Sequence, residues 1–104
     1  MADHGDKQPL IDDAVRSVRI AEVLKALAHP IRLRIIAILC QGDEHVNAIA
    51  ERLHASQPII SQQLRILRMR GLVEASRSHG LAVYHLAEPR LQQIIECMEG
   101  CERF

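Results

Sequence analysis

Apolar residues recur at helical spacing along most of the chain, and the recurrence breaks where residues unsuited to helices intervene. Good helix formers run from about Ile11 to Leu27, with Val15, Val18, Val23, Leu24 and Leu27 forming more than one apolar stripe. An apolar surface that wide predicts a helix covered on several sides, in part by a second subunit. His29-Pro30 interrupts the pattern, and Pro30 suits the first position of a new helix, where its missing N–H costs nothing. Ile31, Ile35, Ile38 and Leu39 then mark a buried face that stops at Gln41-Gly42-Asp43, with Gly42 as its cap. Val46, Ile49, Ala50 and Leu53 fall at i, i+3, i+4 and i+7 and predict a short third helix.

His54-Ala55-Ser56 reads as a turn, with Ser56 as N-cap of a fourth helix that carries Pro58 in its first turn. That helix runs to about Arg70, ends at Gly71, and has Ile60, Leu64 and Leu67 as its inner stripe. Beyond it, LVEASR and LAVYHL alternate at period two around Ser78-His79-Gly80, the pattern of a hairpin. Pro89 opens a last helix with Leu91, Ile94, Ile95 and Met98 on one side. The predicted fold is mainly α with a small β-hairpin, in the order α-α-α-α-β-β-α. Two helices across a tight turn, followed by a hairpin, make a winged helix-turn-helix. Residues 1–10, polar with Gly5 and Pro9, read as a flexible tail, leaving 11–104 as one domain.

Charge sharpens this reading because it is segregated. The chain has 13 basic and 13 acidic residues. Residues 1–14 hold one base and four acids, residues 88–104 two bases and four acids, and residues 15–87 ten bases and five acids. No Asp or Glu occurs between Glu51 and Glu74, the window that contains Arg65, Arg68 and Arg70. On the fourth helix, Ser61, Arg65 and Arg68 fall at i, i+4 and i+7 and are expected opposite the apolar stripe, with Gln57 and Gln62 flanking them. Gln pairs bidentately with adenine edges, Arg with guanine, and Ser with bases or phosphates. The helix N-terminus adds unpaired N–H groups and partial positive charge. A polar outer face alone fits any solvated helix. Combined with the turn spacing, the acid-free window and a hairpin carrying Arg77 and His79 at its tip, it points to double-stranded DNA.

Other classes find little support. No apolar run approaches a membrane span, and the opening MADHGDKQPL lacks the apolar core of a signal peptide, so a cytoplasmic protein with no membrane partner is expected. Gly-rich phosphate loops, H-E-x-x-H and G-x-S-x-G are all missing, which argues against an enzyme. A winged helix used only for protein contacts is the remaining alternative.

LKALAHPIRLRIIAIL, then HVNAIAERLHASQPIISQQLRILRMRGLV, then a hairpin ending VYHL, resemble the ArsR family of bacterial winged-helix repressors over roughly residues 20–95. The resemblance implies a homodimer that binds a palindromic operator and releases it when a metal ion, metalloid or reactive sulfur species binds. It also implies base reading by Gln57, Ser61, Gln62 and Gln63, phosphate contacts from Arg65, Arg68 and Arg77, and a dimer interface built from the first and last helices.

The resemblance also implies places to look for an effector site. One familial site puts cysteines before the recognition helix, where this chain has His45-Val46-Asn47, without a thiol. Another puts Asp-x-His at the start of the last helix, where this chain has Glu88-Pro89-Arg90. Both are expected to be absent. Cys40, Cys97 and Cys101 remain, an odd count that argues against a disulfide framework. Cys97 and Cys101 are expected to share a face of the last helix at i, i+4, about 5–6 Å apart at Cβ, too far for a disulfide. With Cys40 they would suit arsenite or another thiophilic ion as effector. A link from Cys40 to either, direct or through extra sulfur, would make a redox or persulfide switch. Packing as small buried hydrophobes is the third possibility. In the sulfur-sensing branch of the family, the first thiol would fall at Ala37.

Overall fold

The computed structural model describes residues 8–103. The tail expected over 1–10 lies largely outside that range. A single 3-10 turn, Leu10–Asp12, leads into α1, Ala14–Leu27, whose N-cap Asp13 accepts the Arg16 amide at 2.9 Å. Helix α2, Pro30–Gln41, starts on Pro30 and is capped by a side chain: His29 Nδ1 accepts the Ile31 amide at 3.1 Å. A two-residue strand follows, β1, Glu44–His45. Then come α3, Val46–Leu53, and α4, Gln57–Met69, with Ser56 Oγ accepting the Ile59 amide at 3.4 Å. Strands β2, Val73–Ser78, and β3, Leu81–Leu86, form the hairpin, and α5, Leu91–Glu99, closes the chain.

The fold class is the one the periodicity predicts, with one addition. Strand β1 pairs antiparallel with β3, Glu44 opposite Tyr84 and His45 opposite Val83, giving a three-stranded sheet in the order β1-β3-β2. The last helix begins at Leu91 rather than Pro89, and it ends before Cys101.

The core joins every helix to the sheet. Ile35 and Ile36 of α2, Ile49 of α3, and Ile60, Leu64 and Leu67 of α4 have no exposed surface, and Leu91 and Ile95 bring α5 onto the same cluster. Each such side chain contributes about 1.5–3 kcal/mol by leaving water. Among the described residues no polar or charged side chain is buried. The two ends that aim α4 are both closed by backbone hydrogen bonds. At its entry, left-handed His54 (φ 54°) ends α3, with the Ala55 amide bonded to the Ala50 carbonyl at 3.0 Å. At its exit, Gly71 (φ 74°) lets the Leu72 amide reach the Leu67 carbonyl at 3.0 Å and its own amide reach the Arg68 carbonyl at 3.0 Å, a Schellman closure.

Candidate nucleic-acid interface

The inner stripe of α4 is wholly buried, which fixes what its other faces present. Successive residues turn by about 100°. Measured from that stripe, Gln62 and Arg65 point outward, while Ser61 and Arg68 lie on one flank and Gln63 on the other. The burial agrees: Gln57, Gln62, Arg65 and Arg68 are exposed, and Ser61 and Gln63 are half-buried. Ser61 and Arg68 are therefore at the border of the outward face, not opposite the core as expected, and of Ser61, Arg65 and Arg68 only Arg65 points away from the core. Among the described residues neither Arg65 nor Arg68 has a salt-bridge partner. Arg70 differs. It is acid-free in sequence but not in space, because its guanidinium lies 3.2 Å from the Glu22 carboxylate of α1.

Gln63 is also engaged. Its Oε1 accepts a hydrogen bond of 2.9 Å from Arg32 Nη1 of α2. Bidentate recognition of adenine uses both the oxygen and the nitrogen of a Gln amide; Arg32 takes one of the two lone pairs on that oxygen and fixes the direction of the Gln63 amide. Sequence reasoning had no signal for this contact, since 31 residues separate the partners. Ile59 and Met69 were also not anticipated. They expose apolar surface on α4, Met69 at 77%.

The hairpin projects beyond α4 as a wing. Ser78 pairs with Leu81, so His79 and Gly80 alone make the turn, and both have positive φ, 54° and 81°. That is the two-residue loop whose twist matches the flanking strands. Arg77 Nη1 donates to the Gly80 carbonyl at 2.8 Å, and Ser78 Oγ lies 3.3 Å from His79 Nδ1. Arg77 and His79 are thus held at an exposed tip. Ser56 lies at the start of α4, where its hydroxyl caps the helix.

The three thiols occupy different surroundings. Cys40 is half-buried at the end of α2, packed on the core; Cys97 is exposed on α5; Cys101 is half-buried, two residues past the last helical residue. Gly100 ends the helix, so the shared helical face expected for Cys97 and Cys101 is not formed by α5 itself. Burial raises the pKa of the Cys40 thiol, and the carboxylates of Glu99 and Glu96 raise it further. Among the described residues no three His, Cys, Asp or Glu side chains gather closely enough to hold a metal ion, so one chain does not assemble a three-thiol site.

The model of the bacterial regulatory protein arsR family matches residues 29–75. The biofilm growth-associated repressor of Agrobacterium fabrum is 39% identical over 83 residues, covering 80% of this chain and 71% of that protein. This chain belongs to the arsR family.

Solved structures of that family agree. The transcriptional repressor BigR from Xylella fastidiosa superposes with a TM-score of 0.79 at 31% identity, covering 90% of this chain and 98% of that one. The homodimeric winged helix-turn-helix domain of Mb0332 from Mycobacterium bovis gives 0.74 at 31% identity, covering 90% and 86%. The family match begins at the His29 cap and ends in β2, so it contains the whole of the helix-turn-helix. ArsR-family proteins are DNA-binding transcriptional regulators, and this chain is a regulator of that class rather than an enzyme. Among the described residues no helix is long and apolar enough to cross a membrane.

Proposed function

We propose that the chain is a cytoplasmic repressor that binds a palindromic operator as a homodimer, with α4 of each copy in the major groove. The observation that carries this reading is the surface of α4, where Gln62 and Arg65 are exposed on the outward face and Arg68 on its flank, neither arginine having a salt-bridge partner among the described residues, with a wholly buried stripe behind them. Gln57, Gln62 and, at the border, Ser61 read base edges. Arg65, Arg68, Arg77 and the α4 N-terminus at Ser56 hold phosphates, and His79 carries the wing to the adjacent backbone or minor groove.

Pairing is supported by surfaces that a lone chain leaves open. Helix α1 exposes Val15, Val18 and Leu24, and α5 exposes Ile94 and Met98. A largely apolar groove of about 470 Å³ runs between α2 and α5, lined by Leu33, Ala37, Ile95 and Met98 with Arg34 and Glu99 beside them. Two-fold pairing through these helices would set half-sites about 34–36 Å apart.

Release is assigned to the thiols of Cys40, Cys97 and Cys101, with arsenite, another thiophilic ion or a reactive sulfur species as effector. Its support is position: Cys40 lies on α2 near the carboxylates of α5, and the other two cysteines lie on or just beyond α5. Because one chain does not gather three ligands, a metalloid site would draw thiols from both copies.

The test is operator binding by fluorescence anisotropy across salt concentrations. Log affinity should fall steeply with log salt, and Arg65→Ala should weaken all sequences alike and lower the slope by about 1. Gln62→Ala should instead lose about 1–3 kcal/mol of discrimination at one base pair per half-site. Binding that ignores salt would sink the DNA reading. Titrating the complex with arsenite, a persulfide donor and peroxide, followed by intact mass, tests the thiols; release without cysteine modification or ligation would eliminate them as the sensor.

A further inference from the structure

Arg32 makes contacts that the reading of DNA by α4 does not by itself require. It lies on α2, half-buried, and its guanidinium reaches two other helices. Nε donates to the Ala26 carbonyl at 2.6 Å, and Nη1 donates to Gln63 Oε1 at 2.9 Å. Ala26 is in the last turn of α1, where carbonyls have no intrahelical partner, so a cation there satisfies an orphan acceptor and opposes the negative end of the helix. A guanidinium presents its donors in one rigid plane, so fixing one N–H at α1 fixes where the others aim.

We propose that Arg32 is a positioning residue for the recognition helix, and that Gln63 is the handle by which it sets the roll of α4 rather than a base reader. Gln63 lies on the flank of α4, between the buried stripe and the outward face of Gln62 and Arg65, so holding its head group restrains rotation about the helix axis. The leverage is considerable. Side chains end about 5–6 Å from a helix axis, so a roll of about 20° moves them by about 2 Å. Bidentate base recognition tolerates a few tenths of an ångström around about 2.9 Å. The apolar stripe alone, made of adaptable Ile and Leu side chains, limits such a roll less sharply than a directional hydrogen bond to a charged group. The other end of the tie is α1, so packing on that helix reaches the reading face through one side chain.

The inference rests on the DNA-reading function of α4, but it can be tested with and without DNA. Arg32→Met, Gln63→Met and the double variant are compared in operator affinity, over a set of operators with single base-pair changes, and in hydrogen exchange of α4 amides in the free protein. Each single variant should weaken every operator by a similar factor, about tenfold, the scale of one lost hydrogen bond to a charged group. The double variant should be no weaker than the worse single one. Exchange in α4 should rise equally in all three. Gln63→Glu, which keeps an acceptor for Arg32, should return α4 exchange to the wild-type level. Gln63 is half-exposed, so its variants report even if Arg32→Met folds poorly. A loss of discrimination at one base pair for Gln63→Met, additive with Arg32→Met, would overturn the proposal in favour of base reading. Unchanged α4 exchange in Gln63→Met would overturn it whatever the DNA result, whereas wild-type protein that ignores DNA refutes the function and leaves the exchange result to judge the tie.

Discussion

Arg70 at the C-terminal end of α4 and Glu22 of α1 approach to 3.2 Å, while Glu22 also lies 3.7 Å from Lys25. The recognition helix is thus joined to α1 near its exit, as it is through Gln63 and Arg32 in its middle. The partners are about half exposed, and such pairs are worth about 0–1 kcal/mol. Glu22→Gln should therefore change unfolding free energy by less than about 0.5 kcal/mol in urea titrations. It should also release a cation beside the reading helix and remove a nearby negative charge. Operator affinity at low salt should rise and the salt slope should steepen. A fall in affinity would mean that the pair is needed to place α4.

Much of the fold was legible because it obeys one period. Ile60, Leu64 and Leu67 declare the inner face of α4, and Gly71 declares its end, because a left-handed closure there favours a residue without Cβ. The hairpin was legible in Ser78-His79-Gly80, although its turn type was not, because that turn uses only His79 and Gly80 and needs a left-handed His79. Strand β1 was invisible, since two residues cannot show a period and neither Glu44 nor His45 favours a strand. The site was legible as a face and illegible as a set of partners. Arg32–Gln63 and Glu22–Arg70 join residues from different helices, and nothing in either local stretch announces the other. Counting i+4 from Cys97 carries Cys101 onto a helix that in fact stops at Gly100.

The open apolar surface of α1 gives a second expectation. Val18 is 62% exposed in the single chain, so Val18→Asp should leave monomer stability within about 0.5 kcal/mol. At a two-fold interface, however, it would place two carboxylates in an apolar contact. Sedimentation should show a shift from dimer to monomer, and operator affinity should fall with it, because each half-site is then bound singly. A Val18→Asp protein that stays dimeric would move the interface away from this face.

The wing turn separates stability from binding. Gly80 has φ 81°, and an added Cβ would meet nothing within 4 Å, so Gly80→Ala should cost only the backbone penalty, about 1–2 kcal/mol. His79→Asn should do the opposite, since Asn-Gly is the preferred pair for this turn. Thermal melts should show the His79→Asn protein holding or raising the melting temperature. If His79 touches DNA as proposed, the same variant should still bind the operator several-fold more weakly. Retained affinity would leave Arg77 as the only DNA contact at the tip.

Cys40 is the thiol least prepared to react. Its pKa is raised by burial first, then by Glu99 and Glu96, and the thiolate is the nucleophile. At pH 8, iodoacetamide should modify exposed Cys97 before Cys40, with the order read by peptide mass. Glu99→Gln should lower the Cys40 pKa and quicken its alkylation, with a smaller effect from Glu96→Gln. The same shift bears on stability. The unfolded thiol ionises at the ordinary value of 9.0 while the folded one still keeps its proton. The unfolded state then binds fewer protons, so stability falls as pH rises. The contribution is complete below that value and is lost as pH climbs through the higher folded pKa. Cys40→Ser should flatten this alkaline loss in urea titrations between neutral pH and pH 10. If Cys40 were alkylated first, a carboxylate-shielded thiol could not be the description of this site.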